Sequence, residues 1–335
     1  MQDPAAPYAG LTPDCVLDAL GSAGWSGDGR LLALNSYENR VYQVWLDETP
    51  AATPAAPAVV AKFYRPGRWT DAQILEEHAF VAELAEREIP VVAPLPLSGG
   101  ATLLAFGGFR FAVYPKCGGR APELEDRSTL EWIGRFIGRI HAVGAIAPFR
   151  ERPALDLTTY GEEPRDYLLS RDFVPTDLMQ AWTSTVEQAL DGVRRCYDRA
   201  GDLRTIRLHG DCHAANILWT AQGPHFVDFD DCRTGPAVQD LWMLLSGNRA
   251  DMEQQSRAVL DGYEDFCEFD ARELHLVEAL RTLRLIHYSA WLARRWDDPA
   301  FPAAFPWFNT QRYWQDRVLE LREQIAAMDE PALAP

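Results

Sequence analysis

The stretch Leu208-His209-Gly210-Asp211-Cys212-His213-Ala214-Ala215-Asn216-Ile217-Leu218, followed by Phe226-Val227-Asp228-Phe229-Asp230, decides the reading of this chain. It sets an Asn five residues after Asp211 and an Asp twelve residues beyond that Asn. An Asp followed at that distance by an Asn is common by chance, so the flanks carry the weight. Ile217-Leu218-Trp219 and His225-Phe226-Val227 read as two short apolar strands, with Thr220-Ala221-Gln222-Gly223-Pro224 as the turn between them. The hairpin then presents Asn216 at its entry and Asp228 at its exit.

Each polar position has a chemical reason. Asp211 is placed to accept the proton of an attacking hydroxyl. Asn216 offers an amide oxygen, and Asp228 a carboxylate, to Mg²⁺, which takes hard oxygen ligands and fills its shell with water and phosphate. The spacing is that of a phosphoryl-transfer site of the protein-kinase type, with a catalytic-loop Asp, an Asn, and an Asp in an Asp-Phe-x segment. A competing reading makes His209 and His213, with Cys212 beside them, a zinc pair. Gly210 breaks helical continuity there, and no third ligand stands at a useful spacing. The two histidines are therefore read as braces of the loop.

With 335 residues, 47% hydrophobic and 24% charged, the chain has an ordinary globular balance and room for two lobes. Its net charge of −17 disfavours nucleic acid or an anionic membrane as a main partner. No run of about 18 apolar residues suggests a membrane span. The first residues lack the pattern of a signal peptide. Six cysteines without paired spacing fit reduced thiols in a cytoplasmic protein. Only two of the 32 basic residues are lysines, Lys62 and Lys116, so a retained lysine draws attention to work that arginine's planar fork does badly.

Upstream of the hairpin, Thr12-Pro13-Asp14 opens a short helix that closes at Gly21 and Gly24. Leu31–Leu34 and Val41–Leu46 form a strand pair. The polar turn between them, residues 35 to 40, lies where a phosphate-covering loop is expected. It has no glycine, so Ser36 is the candidate donor to phosphate. Arg40 reads as a solvated cation. Ala51 to Ala58 reads as a loose Pro/Ala loop.

Val59–Tyr64 is a buried strand carrying Lys62, which needs a counter-ion. The helix from Trp69 to Arg87 offers Glu76 and Glu77. Glu77 is preferred because it lies two turns before Leu84, near the apolar face. A strand lysine paired with a helix glutamate holds nucleotide phosphates in the same template. Thr102–Phe106 and Phe109–Tyr114 make a hairpin, and Pro115–Gly119 reads as a hinge, with Lys116 exposed. From Leu130 onward the pattern turns helical. Gly235–Trp242 opens a helix whose Asp240 is read, in a kinase-like fold, as a brace that turns back onto the catalytic loop, in preference to a mere favourable charge near a helix N-terminus. Residues 298–308, rich in Pro and aromatics, read as a docking segment or, more commonly, a packed loop.

The predicted fold is α+β and protein-kinase-like. It comprises a small N-lobe of antiparallel sheet plus helix (1–114), a hinge (115–119) and a larger, mostly helical C-lobe (120–335).

His209-Gly210-Asp211, His213, Asn216-Ile217-Leu218 and Val227-Asp228-Phe229-Asp230 resemble the aminoglycoside-phosphotransferase-like, or choline-kinase-like, branch of the kinase superfamily. Leu34–Tyr42, Lys62–Pro66, Gln73–His78 and Gly235–Met243 are similar to the bacterial stress response kinase A family within it. The resemblance implies a cytoplasmic, monomeric Ser/Thr protein kinase of a stress response, using ATP and Mg²⁺ and acting on a protein hydroxyl, its own included. It implies Asp211 as proton acceptor, Asn216 and Asp228 as metal ligands, and Ser36 at the ATP site. Ala215 departs from the family, which usually has Gly before the Asn; Ala would be strained there if φ were positive. Two rivals stand beside this reading. One is a small-molecule kinase acting on an amino alcohol, homoserine or a sugar. The other is a non-catalytic nucleotide-binding scaffold, against which the presence of Lys62, Asp211, Asn216 and Asp228 argues.

Overall fold

A computed structural model describes residues 7–47 and 57–335. The Pro/Ala loop read at residues 51–58 lies outside the described residues except for its last two. The chain forms two compact units: Met1–Ala121 with Asn216–Asp230, and Pro122–Ala215 with Asp231–Pro335. The hairpin 216–230 thus groups with the sheet of the first unit, whereas the sequence reading placed all of 120–335 together.

In the first unit, strands β1 (Gly27–Leu34), β2 (Arg40–Leu46), β3 (Ala58–Phe63), β4 (Leu104–Phe106) and β5 (Phe109–Pro115) form an antiparallel sheet in the order β1-β2-β3-β5-β4. Side chains alternate across a strand, and β3 uses both faces. Val59, Ala61 and Phe63 join Val44, Phe111, Val113 and the buried Val16, Ala19 and Leu20 of helix α1 (Pro13–Ser22) in one core. Burying a Val or Leu side chain contributes about 1.5–3 kcal/mol. The Thr12 hydroxyl caps α1 by accepting from Cys15 N at 3.2 Å.

On the other face, Tyr64 and Ala112 pack with Ile74 of helix α2 (Asp71–Glu86). Lys62, opposite Val41 on β2 and Ala112 on β5, shares that second face. Helix α2 starts at a capping box in which Thr70 and Gln73 satisfy each other's backbone N–H.

The decisive hairpin is present as β7 (Ile217–Thr220) and β8 (Gly223–Phe226), following β6 (Ile206–Leu208) in the second unit. Its turn is shorter than read from sequence. Gly223 and Pro224 are already in β8, because Gly223 takes φ 108°, open to glycine, and closes a two-residue turn. Backbone bonds from Val92 N to Phe226 O (3.1 Å) and from Trp219 N to Arg120 O (2.7 Å) fasten both strands to the same unit.

The second unit holds α3 (Arg127–Gly144), α4 (Glu163–Ser170), α5 (Thr176–Ala200), β9 (Arg233–Gly235), α6 (Gln239–Trp242), α7 (Arg249–Tyr263), α8 (Val277–Ala293), α9 (Ala300–Ala304) and α10 (Gln311–Asp329). Helices α3 and α7 cross on glycines. A Cβ at Gly134 or Gly138 would collide with the α7 backbone at Val259 or Tyr263, and one at Gly262 with Glu131 of α3. The helix read at Gly235–Trp242 is much shorter in the structure. Gly235 ends β9, and only Gln239–Trp242 is helical, because β9 must pair with β6 before the chain can turn. Within residues 298–308, Phe301, Phe305 and Phe308 are buried, with Trp291 in contact with Phe301 and Phe305, while Trp307 is exposed. None of the six cysteines, all among the described residues, forms a disulfide. No helix among the described residues is long and apolar enough to cross a membrane.

Candidate active site

Of the residues the sequence singles out, Ser36, Lys62, Glu77, Asn216 and Asp228 fall in the first unit and Asp211 in the second.

In the first unit the centre is Lys62. The apolar strand β3 delivers it, 7% exposed, among carboxylates: Asp230 at 3.0 Å, Asp228 at 3.2 Å and Glu77 at 3.8 Å from Nζ. Burial on its own would lower the lysine's pKa. The charges of Asp230, Asp228 and Glu77 outweigh it and hold the ammonium well above its ordinary range. Glu77 is buried and Glu76 is half-buried, so the structure puts Glu77 rather than Glu76 opposite the lysine.

Asp228 has φ 60°, a left-handed conformation that Asp tolerates better than most residues. Its side chain is 54% exposed. Val227 N donates to Asn216 O at 3.0 Å, which closes the hairpin and brackets Asn216 with Asp228. Phe229 packs edge-on against Phe80 of α2, fixing the Asp-Phe-Asp segment to the helix that carries Glu77.

Asp230 also pairs with Arg68, which reaches Glu38 at 3.8 Å. Glu38 pairs with Arg65 Nε at 3.1 Å, and the buried Asn39 accepts from Arg65 N at 3.1 Å. A chain of charge from the Asp228-Phe229-Asp230 segment to the 35–39 turn results. Ser36 lies in that turn, half-buried. Arg40, read as solvated, is half-buried with its guanidinium 4.4 Å over the Tyr8 ring. Lys116, read as exposed, is half-buried and donates to Cys117 O at 3.1 Å.

In the second unit, Asp211 is held at both oxygens. Arg284 Nη1 donates to Oδ1 at 2.6 Å, and His213 Nε2 lies 3.4 Å from Oδ2. His213 Nδ1 accepts from Ala215 N at 3.2 Å, so the neutral ring carries its proton on Nε2, facing the carboxylate. Burial would raise the Asp211 pKa; the His213 hydrogen bond and the Arg284 charge overcome it and bring the carboxyl down to about 2. His209 Nδ1 accepts from Asp211 N at 3.3 Å. Ala215 lies in a 3-10 turn, Ala214–Asn216, and is not among the residues with positive φ, so its Cβ costs no strain.

Asp240 is the brace that the sequence reading favours. Fully buried, it accepts from His209 N (2.7 Å), Gly210 N (2.8 Å) and His141 Nε2 (3.0 Å). Gln239 adds a bond to Gly210 O at 2.9 Å. Gly210 needs to be glycine: φ is 86°, and a Cβ would strike the carbonyl of Asp231. Asp240→Ala would strand two backbone N–H groups and an imidazole in a dry interior. The expected loss is roughly 3–9 kcal/mol, at 1–3 per unsatisfied group, read as a lower urea midpoint. Asp240→Asn, which keeps one acceptor oxygen, should lose less. An unchanged midpoint in the alanine variant would remove the brace from this account.

Sequence reasoning gave no role to Asp230, Arg68 or Arg284. A signal existed for Asp230, a carboxylate standing where the kinase template has glycine. None existed for the arginines, two among thirty.

Residues 30–277 match the model of APH, the phosphotransferase enzyme family. The chain is 45% identical over 333 residues to stress response kinase A of Salmonella paratyphi A, covering 99% of this chain and 98% of that one. It is 44% identical, with the same coverage, to serine/threonine protein kinase RdoA of Salmonella typhimurium. Among solved structures it is similar in fold to amicoumacin kinase hAmiN in complex with AMP-PNP, Ca²⁺ and Ami. There the TM-score is 0.70 and the identity 17%, covering 96% of this chain and 95% of that one.

Proposed function

We propose, because this chain belongs to the APH phosphotransferase enzyme family, that it is a Ser/Thr protein kinase of a bacterial stress response, transferring the γ-phosphoryl of ATP to a protein hydroxyl. The observation that carries the reading is the buried Lys62 set between Glu77 of α2 and Asp228 of the hairpin exit. That is the arrangement in which a strand lysine, aligned by a helix glutamate, meets nucleotide phosphates. The 44% identity to a relative named as a serine/threonine protein kinase supports a protein acceptor.

In the transfer, the acceptor oxygen bonds to the γ-phosphorus. The bond from that phosphorus to the bridging oxygen breaks, its electron pair leaving with ADP, and the hydroxyl proton passes to Asp211. A carboxylate held at about 2 is a weak base, so Asp211 works chiefly by orienting the hydroxyl and takes the proton late. Lys62 neutralises phosphate charge, and Ser36 donates from the 35–39 turn.

The donor set at the hairpin suits Mg²⁺: an amide oxygen of Asn216 and an exposed carboxylate of Asp228, two hard ligands bracketed by one backbone bond. Bound there, the ion would supply charge neutralisation for the phosphates. We assign the N-lobe as 1–114, the hinge as 115–119 and the C-lobe as 120–335 apart from the hairpin 216–230, which groups with the sheet, and place the protein in the cytoplasm as a monomer.

The test is label transfer from γ-labelled ATP with Mg²⁺, using the purified protein alone and then with a lysate from a deletion strain. Phosphorylated Ser or Thr on protein is the expected product. Label found solely on small alcohols would defeat the protein-kinase reading.

A further inference from the structure

We infer that Arg284 is the acceptor-side specificity residue: one Nη fixes Asp211, and the remaining N–H donors take an oxyanion carried beside the accepting hydroxyl. The inference rests on the protein-kinase reading above and names the substrate class within it, a Ser or Thr flanked by carboxylate or phosphate.

The geometry points this way for two reasons. Arg284 stands on α8 with its side chain 40% exposed, and its Nη1 lies 2.6 Å from Asp211 Oδ1. A guanidinium carries five donors in a planar fork. Among the described residues this Arg has one ion pair, with Asp211. Its other donors therefore open to solvent next to the carboxylate that receives the hydroxyl. Such a fork matches carboxylate and phosphate oxygens in pairs.

The charge around Asp211 points the same way. The neighbouring carboxylate, Asp231, is met by Arg233 at 3.3 Å. Tyr160 lies between Arg233, 4.8 Å over its ring, and His287, stacked on it at 4.2 Å. Burial, helped by the Arg233 charge, pushes the His287 pKa down to about 3, so that ring is neutral. Two carboxylates are thus matched by two arginines. A site built for a cationic amino alcohol needs a carboxylate left over for the ammonium, and this cluster has none to spare. The protein's net charge of −17 acts at longer range, where salt screens it beyond about 8 Å.

The test uses the full-length protein with Mg·ATP and one Ala-rich peptide scaffold containing a single Ser. The scaffold is flanked in four versions by Glu, phosphoserine, Ala or Lys, with ethanolamine as a fifth acceptor. Wild type, Arg284→Met and Arg284→Lys are compared by kcat/KM. The ratio between peptides is the readout, because loss of Arg284 also frees Asp211 and lowers every rate. Wild type should favour the Glu or phosphoserine peptide over the Ala peptide by roughly ten-fold, and over the Lys peptide by more. Arg284→Met should compress these ratios to within about two-fold, and Arg284→Lys should keep part of them. Comparing the Glu and phosphoserine arms tells which oxyanion is preferred.

Equal use of all four peptides by wild type, or a preference that survives in Arg284→Met, overturns the inference and leaves the protein-kinase reading standing. Turnover of ethanolamine with no peptide phosphorylated overturns both.

Discussion

Changing Asp228 to alanine is expected to cut phosphoryl transfer by roughly 10³-fold or more while the protein stays folded. The catalytic loss follows from the position of this carboxylate at the hairpin exit beside Asn216, where phosphate charge and its counter-ion would meet. The tolerance of the fold follows from three observations. Asp228 is more than half exposed. Its partner Lys62 keeps Asp230 at 3.0 Å and Glu77 at 3.8 Å. Alanine in a left-handed conformation costs only about 1–2 kcal/mol. Initial rates with γ-labelled ATP, set beside a thermal melt, separate the two effects. Activity within ten-fold of wild type would remove Asp228 from the site.

Lys62→Met should behave in the opposite way, damaging the fold as well as catalysis. It leaves Glu77 and Asp230, both buried, facing Asp228 with no ammonium between them, although Arg68 still pairs with Asp230. Removing one partner from a buried ion pair costs about 3–5 kcal/mol.

The sign of the pH dependence distinguishes this cause from loss of packing. In wild type the lysine pKa is held above its ordinary value, so its contribution is complete below that value and fades only as pH rises through the raised one. Wild type should therefore show no loss from this group between pH 5 and 9. In the variant, uncompensated carboxylates bind protons more readily folded than unfolded. Its deficit should then be largest at neutral pH and shrink as pH falls toward the carboxylate range. Urea unfolding at pH 5 and pH 7.5 checks this. A deficit independent of pH would mean that the ammonium's charge is not what matters.

Local chemistry was legible in the sequence wherever pattern and partner lie close together. The apolar runs around Asn216 and Asp228 predict the hairpin. The apolar strand around Lys62 demands a counter-ion, and helical spacing puts Glu77 on the inner face of α2. Asp240 shows how far local reading goes: the kinase-like pattern favours a bond back to the catalytic loop, and the fold supplies its partners, the backbone N–H groups of His209 and Gly210 thirty and more positions away. The same limit hid Arg284, whose partner is 73 residues off, and Arg68, 162 residues from Asp230. Long-range ion pairs leave no periodicity behind. Apolar spacing alone starts the helix of Asp240 at Gly235, because it cannot tell that Arg233–Gly235 is claimed by pairing with β6.

The glycine crossing of α3 and α7 has a consequence for inheritance of the trait. His141 on α3 and Tyr263 on α7 meet there at 3.0 Å, and His141 in turn holds Asp240. A single methyl at Gly138 would wedge the two helices apart and loosen that grip from behind. In a growing culture such an allele would act as a stability lesion that worsens on warming, although it maps far along the gene from every candidate site residue.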